Sequence, residues 1–203
     1  GLDRVVLKPV TGLMGQKIYF IMRNDAQTFQ VKKIPPGHLT LTDSYEEYQF
    51  IIQEAIKQHP VMDKINPHCV NSIRIISILN IDGTVKLLAA MLRTSATESQ
   101  VDNFSQGGIV IGIDMETGRL RDEGFLPQKF GTITMHHPVT KTIFKDFQIP
   151  YWEDLKKIVI KAQKAFHHLK SIGWDIAITP EGPVIIEGNQ EWGTAGIQAA
   201  NGG

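Results

Sequence analysis

The chain has 203 residues, of which 42% are hydrophobic and 21% are charged, as in ordinary globular proteins. Its 21 Lys and Arg residues balance 21 Asp and Glu residues, so there is no basic surplus for nucleic acid or an anionic membrane surface. No apolar run is long enough to span a membrane, no signal peptide is visible, and the single cysteine, Cys69, predicts no internal disulfide; we therefore expect a cytoplasmic protein. Because the chain starts at Gly1 without Met and stops at Gly203 without a closing element, we also expect it to be part of a longer protein.

The segment 1–66 predicts a first subdomain built from strands. Strands are expected at 5–8, 17–23 and 28–33, with a two-glycine loop at 11–16. This arrangement is a hairpin, in contrast to the strand-to-helix turn of a P-loop or Rossmann fingerprint. Such a loop can bind phosphate through its N–H groups, although most are only turns. A further strand at 50–56 precedes a polar stretch broken by prolines, where we expect a hinge.

The segment 67–203 predicts the second subdomain. Strands are expected at 70–81 and 85–93, joined by the hairpin signal Asp82-Gly83, and then at 109–113 and 119–123. Apolar residues spaced three or four apart predict a helix over 152–170, which Gly173 ends, and a last helix is expected to begin near Thr194. The packing stripe predicted for the long helix consists of Leu155, Ile158, Ala162, Phe166 and Leu169.

The stretch 173–189 predicts two apolar strands around the turn Pro180-Glu181-Gly182. We expect a three-residue loop that pairs Thr179 with Pro183. Counting back from that pair places Asp175 opposite Glu187. This register determines which side chains share a face of the sheet.

The predicted register brings two carboxylates together. Opposed residues have Cβ atoms about 4.5–5.5 Å apart, so Asp175 and Glu187 repel each other unless a cation lies between them. Asn189 lies two residues beyond Glu187 and shares its face. Two carboxylates and an amide oxygen suit Mg²⁺ or Mn²⁺. The alternative is a solvated edge hairpin, against which the apolar neighbours argue.

Two arginines interrupt apolar strands. Arg74 lies within the strand at 70–81, and Arg93 ends the strand at 85–93. Charged residues are rarely buried unpaired, so each arginine needs an anion, for which Asp175, Glu187 or a phosphate group would serve. Alternatively, each arginine reaches the surface at the end of its strand.

The order of these residues resembles the catalytic core of ATP-grasp proteins. Lys8-Pro9 before a glycine loop, the strand at 50–56, two arginines, Asn103 and the pair Gly107-Gly108, and Asp175 with Glu187-x-Asn189 follow that family's order. The arginines, Asn103 and the paired glycines are similar to those of ribosomal-protein glutamate ligases. A closer resemblance, to the sugar-transfer-associated ATP-grasp group, is carried by segments 70–74, 101–104, 137–138, 149–150 and 173–175.

The resemblance implies an α+β fold in which two subdomains, with mainly antiparallel sheets, hold ATP between them. It implies that Lys8 contacts phosphate, and that the loop from Gly12 to Gly15 covers it. It further implies that adenine binds to backbone groups of the strand edge formed by Gln53, Glu54, Ala55 and Ile56.

The activity implied by the resemblance is that of an ATP- and Mg²⁺-dependent carboxylate–amine ligase. The γ-phosphoryl group passes to a carboxylate, and an amine then attacks the acyl phosphate. Arg74 and Arg93 would stabilise the developing charge, Asn103 would position phosphate or acceptor, and the Asp175, Glu187 and Asn189 set would hold the metal.

The expected partners are small-molecule carboxylate and amine substrates, sugar-linked or amino-acid, in polysaccharide or sugar-conjugate biosynthesis. Two alternatives stay open at this point. One is a kinase on the same scaffold, in which phosphoryl transfer stops at a hydroxyl. The other is a nucleotide-binding module without turnover.

Overall fold

The structure, a computed structural model, describes residues 4–10, 18–23, 29–34, 50–98, 108–126 and 132–202. These residues belong to two compact units, Gly1–Ile56 and Lys57–Gly203, and the division between them comes before the predicted one after residue 66. Antiparallel strands dominate the described residues and are accompanied by three helices, which confirms the predicted α+β class.

A four-stranded antiparallel sheet forms the described part of the first unit, in the order β3-β2-β1-β4. The predicted strand at 50–56 was too long, because β4 ends at Glu54 and leaves Ala55 and Ile56 outside it. The Ala55 N–H still donates to the Arg4 carbonyl at 3.1 Å, so the pairing with β1 continues one residue further. The strands are β1 (Arg4–Pro9), β2 (Ile18–Arg23), β3 (Phe29–Ile34) and β4 (Phe50–Glu54).

The described strands of the second unit form a seven-stranded antiparallel sheet, in the order β11-β10-β5-β6-β7-β8-β9. The hairpin predicted at Asp82-Gly83 is confirmed between β5 and β6, where Gly83 has a φ of 81°. Strand β9 was not predicted. The strands are β5 (Ser72–Leu79), β6 (Val85–Ser95), β7 (Gly108–Ile113), β8 (Leu120–Leu126), β9 (Thr132–Thr134), β10 (Ser171–Thr179) and β11 (Gly182–Asn189).

Helices cover both faces of this sheet. Helix α1 (Pro60–Asp63) is short. Helix α2 (Trp152–Ala165) packs on one face, where it forms the larger apolar core together with alternate strand residues, for example Ile75 of β5. Helix α3 (Ala195–Asn201) follows Thr194 as predicted and packs on the other face with Ile76. Its close approach requires Gly112, where a Cβ atom would lie 2.1 Å from the Ala200 carbonyl oxygen. We call these faces the α2 face and the α3 face.

The predicted packing stripe of the long helix was wrong in part. Phe166 is 48% exposed, and the helix ends at Ala165. A polar residue, Gln163, is buried instead because its Oε1 accepts from Ser77 Oγ at 2.5 Å and its Nε2 donates to the Leu169 carbonyl at 2.8 Å. The buried residues of α2 are Trp152, Leu155, Val159 and Gln163.

The prediction that Gly173 ends a helix was also wrong, because Gly173 lies inside β10. A Cβ atom at this position would lie 2.3 Å from the Cβ of Trp192 and 3.2 Å from Cδ of Arg74. The glycine is therefore required for close packing on the α3 face, as glycines inside strands often are.

The hairpin of β10 and β11 has a shorter loop than predicted. Thr179 pairs with Gly182, not with Pro183, and this register continues until a bulge between Asp175 and Ile176. The additional residue of the bulge shifts the register by one, so Asp175 lies opposite Glu187 as predicted. The predicted pair is confirmed, although the loop from which it was derived was wrong.

Candidate functional site

Four charged side chains occupy neighbouring strands of the second unit. Glu187 of β11 is the register partner of Asp175 of β10, which in turn is the partner of Arg74 of β5. Arg93 of β6 is diagonal to Arg74, because its own partner on β5 is Ser72. We call Glu187, Asp175, Arg74 and Arg93 the charged row. It exists because Arg74 alternates with isoleucines that point to the α2 face.

Asp175 binds both arginines of the charged row. Arg74 donates from Nε to Oδ1 and from Nη2 to Oδ2, the latter at 2.7 Å. Arg93 Nη1 lies 3.3 Å from Oδ2 and 3.4 Å from Oδ1. The Arg74 and Arg93 side chains are only 11% and 12% exposed, so neither simply reaches water at a strand end. The predicted need for an anion is confirmed, while the catalytic roles of the two arginines stay predictions.

The charge state of Asp175 follows from these contacts. Burial alone raises the pKa of this carboxyl, because a buried charge loses its hydration. The hydrogen bonds from Arg74 and the positive charges of Arg93 and Arg74 outweigh burial, so the pKa lies below its ordinary value of 3.8. Asp175 is therefore an anion at neutral pH and fixes both guanidinium groups.

Glu187 and Asn189 are both on β11, and their side chains lie beside Asp175 of β10. Asn189 Nδ2 is 3.3 Å from Glu187 Oε1 and 3.5 Å from Asp175 Oδ2. The Glu187 side chain is exposed, in contrast to Asp175, which is 3% exposed. The sequence thus predicted correctly that these three side chains meet, and their role as metal ligands stays a prediction.

The donor chemistry at this place fits a hard cation that arrives with other oxygen ligands. Among the described residues, no group of three or more His, Cys, Asp and Glu side chains could hold a metal ion. Mg²⁺, however, is usually bound through one or two carboxylates together with substrate phosphates and water. Asp175 and Glu187, with the amide of Asn189, match that pattern.

Trp192, which the sequence analysis did not identify, makes a third contact with Arg74. Its carbonyl oxygen accepts from Arg74 Nη1 at 2.9 Å, and its indole Nε1 donates to Ser171 Oγ at 3.0 Å. The only sequence signal was Gly173, since a glycine within a strand pattern indicates a close approach.

The predicted nucleotide contacts of the first unit fall on β1 and β4. Lys8 lies in β1 opposite Ile51, and its side chain is partly buried. Gln53 and Glu54 are exposed on β4, which among the described strands pairs only with β1. Ala55 and Ile56 are partly buried after the strand. Gly12, Gly15 and Asn103 lie outside the described residues, and all these contacts stay predictions.

A second buried polar cluster of the second unit is built from amides. Asn71 Nδ2 donates to Gln58 Oε1, Met62 O and Asn66 O at 2.8–3.1 Å, and its Oδ1 accepts from Thr94 Oγ1 at 2.6 Å. Asn66 Nδ2 donates to the carbonyls of residues 95 and 97, each at 3.1 Å. We call Gln58, Asn66, Asn71, Thr94 and the nearby His137 the amide network.

His137, whose role the sequence left open, is fully buried. Its Nε2 lies 2.7 Å from the Ser95 carbonyl, and its Nδ1 accepts from the N–H groups of Val139 and Thr140. These contacts fit a neutral imidazole that donates from Nε2. Burial is the main reason why the pKa of His137 lies below its ordinary value of 6.5.

Comparison with known proteins gives the family. The model of the sugar-transfer associated ATP-grasp family matches residues 1–203, and no curated protein matches the chain. No helix of the described residues is long and apolar enough to cross a membrane. Membership of an ATP-grasp family indicates an ATP-dependent enzyme of ligase type. The chain belongs to the sugar-transfer associated ATP-grasp family.

Proposed function

We propose that the protein is an ATP- and Mg²⁺-dependent carboxylate–amine ligase that works through an acyl phosphate. The charged row is the observation that supports this proposal. It places two almost buried arginines beside an anionic Asp175 and an exposed Glu187. Phosphoryl transfer requires mainly positioning and charge neutralisation, which such a row is suited to provide.

In this proposal, Arg74 binds an oxyanion of the substrate or of ATP. A guanidinium group has five N–H donors. Toward the described residues, Arg74 uses two on Asp175 and one on the Trp192 carbonyl, which leaves one N–H on Nη1 and one on Nη2 for a ligand. Two donors of one guanidinium match a bidentate phosphate or carboxylate. Arg93, already within 3.4 Å of Asp175, adds a second positive charge.

The net charge of the row determines how a metal would bind. Two arginines and two carboxylates sum to zero, so the row has no surplus negative charge for a bare cation. A cation that arrives with the phosphates of ATP brings its own counter-charge. Bound in that way by Asp175, Glu187 and Asn189, Mg²⁺ or Mn²⁺ would supply neutralisation of phosphoryl oxygens.

The proposal also includes the nucleotide contacts that the resemblance implies. Lys8 and the loop from Gly12 to Gly15 contact phosphate, and the backbone of residues 53–56 contacts adenine. Asn103 positions phosphate or acceptor. Among the described strands, β4 lies at the edge of its sheet, which supports the adenine assignment, because an edge strand offers N–H and C=O groups.

The proposed reaction has two steps. A carboxylate oxygen of the first substrate attacks the γ-phosphorus of ATP, and the bond to the bridging oxygen breaks to release ADP. Arg74 and Arg93 bind the transferred group and keep it positioned. An amine nitrogen then attacks the acyl carbon, phosphate leaves, and the amine loses a proton. We place this chemistry in the cytoplasm, on sugar-linked or amino-acid carboxylates used for sugar conjugates.

The test is an acyl-phosphate trap. The protein is incubated with MgATP, panels of sugar-linked and amino-acid carboxylates, and hydroxylamine, which converts acyl phosphates into hydroxamates. We expect carboxylate-dependent ADP release and a hydroxamate, and an amide when an amine replaces hydroxylamine. A stable phosphomonoester without hydroxamate would indicate a kinase. ATP binding without ADP release under every combination would indicate a nucleotide-binding module.

A further inference from the structure

Trp192, in the segment after β11, contacts the one guanidinium nitrogen of Arg74 that Asp175 does not bind. Asp175 binds Nε and Nη2 of the guanidinium group, whereas the Trp192 carbonyl accepts from Nη1 at 2.9 Å. The guanidinium plane is therefore held at three nitrogens by two residues. A long arginine side chain otherwise has considerable rotamer freedom.

Trp192 is itself fixed to the sheet by its side chain. Its indole Nε1 donates to Ser171 Oγ on β10 at 3.0 Å, and its ring packs against the core that contains Ile197 of α3. Its Cβ occupies the space that a side chain at Gly173 would need, since an added Cβ would lie 2.3 Å away. The position of the Trp192 carbonyl thus depends on the ring and on the missing side chain of Gly173.

We propose that Trp192 is a positioning residue, which orients the two remaining N–H donors of Arg74 toward a single oxyanion. The class of oxyanion is a phosphoryl or carboxyl group, because both accept two parallel hydrogen bonds from one guanidinium. The inference rests on the proposed function in identifying this oxyanion with the transferred phosphoryl group. Its geometric part, that Trp192 holds Arg74 in place, is independent of the reaction.

The experiment observes Arg74 directly in the ligand-free protein. Arginine side-chain ¹H–¹⁵N spectra are recorded at low temperature, and the Arg74 signals are assigned by their loss in Arg74→Lys. In Trp192→Ala and Gly173→Ala we expect the Nη1 protons of Arg74 to exchange with water about tenfold faster, the factor for one hydrogen bond to a charged donor. Trp192→Phe keeps an aromatic ring and the carbonyl but loses the indole donor to Ser171 Oγ, so its rate should lie between those of the wild type and Trp192→Ala.

Gly188→Ala is the matched control, because Gly188 is the partner of Trp174 on the same hairpin. A Cβ there would lie 2.9 Å from Trp174 Cζ3, a clash on the α2 face away from Arg74. This variant should exchange as the wild type does. If Trp192→Ala also keeps the wild-type rate, the proposal is wrong, whatever Gly173→Ala does, because an alanine at 173 would also meet Arg74 itself, 3.2 Å from its Cδ.

Calorimetric titration of MgATP into the same proteins separates this inference from the proposed function. We expect weaker binding in Trp192→Ala and Gly173→Ala, an intermediate affinity in Trp192→Phe, and unchanged binding in Gly188→Ala. Equal affinity in all variants, despite faster exchange, would overturn the positioning role. If the wild type does not bind MgATP, the ligase proposal fails, whereas faster exchange in the two variants would still show that Trp192 holds Arg74.

Discussion

The charged row and the amide network are both largely buried and polar, and they differ in how many hydrogen-bonding groups they leave without a protein partner among the described residues. In the amide network, Asn71 donates both amide hydrogens and accepts from Thr94, and His137 uses both ring nitrogens. In the charged row, two N–H donors of Arg74 have no acceptor among the described residues, and Glu187 is exposed. Polar groups that satisfy each other stabilise a fold, whereas groups with donors left over are available to a ligand.

The second difference is charge. The amide network is neutral, so its cost of burial is met by hydrogen bonds alone. The charged row depends on one carboxylate between two guanidinium groups, and the removal of a single partner leaves buried charge behind. We therefore expect the two regions to respond differently to mutation, pH and ligand, and the following predictions run from the largest expected loss of stability to the smallest.

Asp175→Asn should give the largest loss. The substitution preserves the size of the side chain but leaves Arg74 and Arg93 without their shared anion. Removing one partner of a buried ion pair costs about 3–5 kcal/mol of unfolding free energy. Denaturant unfolding without ligand measures it. Asp122→Asn is the control, because Asp122 binds Lys145 at 3.1 Å on the surface and should matter far less. Similar losses of unfolding free energy in both variants would contradict the role of Asp175 as the anion that stabilises the two buried arginines.

Asn71→Ala should give a smaller loss and leave ligand binding intact. The three acceptors keep other donors, because Gln58 Oε1 also accepts from the Asn71 N–H, Met62 O from the Ile65 N–H and Asn66 O from Gln58 Nε2. The Thr94 hydroxyl loses the acceptor that it binds at 2.6 Å, which costs about 1–3 kcal/mol unless water enters. We expect the stabilisation of the protein by MgATP, measured as a shift of the unfolding midpoint, to stay as in the wild type. A lost MgATP effect would mean that the amide network belongs to the binding site.

Acid should affect the two regions in separate pH ranges. His137 has a lowered pKa in the folded protein, so below about pH 6.5 the unfolded chain takes up a proton that the folded chain does not, and stability falls. Asp175 also has a lowered pKa, but its contribution is complete above 3.8 and is lost only at lower pH. Unfolding free energies measured between pH 7 and 5 therefore report on His137.

The comparison of two histidine variants isolates this effect. His137→Gln should lower stability at pH 7 yet flatten its dependence on pH between 7 and 5, because the buried titrating group is gone. His167→Gln, at an exposed position, provides the slope of an otherwise intact protein. An unchanged slope in His137→Gln would exclude His137 as the source of the acid sensitivity.

The sequence identified the four residues of the charged row because the signal of each is local, although it left open which anion binds the arginines. A charge within an apolar strand, as at Arg74, and two acidic residues flanking a turn need only the alternation of a strand to be placed on one face. The pair Asp175 and Glu187 emerged correctly even though the loop was one residue too long, since the bulge restored the register. Because bulges have no reliable sequence signal, the sequence alone could not show that Asp175 and Glu187 would stay paired with the shorter loop.

The parts that were missed depend on contacts distant in sequence. Gly173 was interpreted as a helix end because its close neighbour, Trp192, can be recognised only once the chain has turned back. Asn66 lies in an irregular segment without periodicity, so its hydrogen bond to the carbonyl of Ser95 was not predictable. Asn71 was placed in the predicted strand at 70–81, but it precedes β5 and accepts from the Thr94 hydroxyl of β6. The buried Gln163 broke the apolar stripe because Ser77 offered it a partner.

Glu187→Gln should change stability least of all and yet remove a function, which makes it the sharpest test of the comparison. The substitution keeps the volume and an oxygen that can accept from Asn189 Nδ2, now 3.3 Å from Oε1. It removes the charge of an exposed carboxylate, so the repulsion from Asp175 and the attraction to the arginines of the row are lost together, and the stability of the ligand-free protein should be nearly unchanged. If Glu187 holds Mg²⁺ together with the phosphates of ATP, the extra stabilisation that ATP gives in the presence of Mg²⁺ should largely disappear.

Four thermal unfolding curves for each protein measure this outcome: without ligand, with Mg²⁺, with ATP, and with both. Glu181→Gln is the matched control, because Glu181 is an exposed acid in the loop of the same hairpin and lies outside the charged row. It should behave as the wild type in all four. ATP without Mg²⁺ should have the same small effect on every protein, since the proposed adenine contacts are far along the chain in β4. If Glu187→Gln retains the full Mg²⁺-dependent gain, Glu187 is no metal ligand, and the exposed end of the charged row is only a solvated hairpin edge.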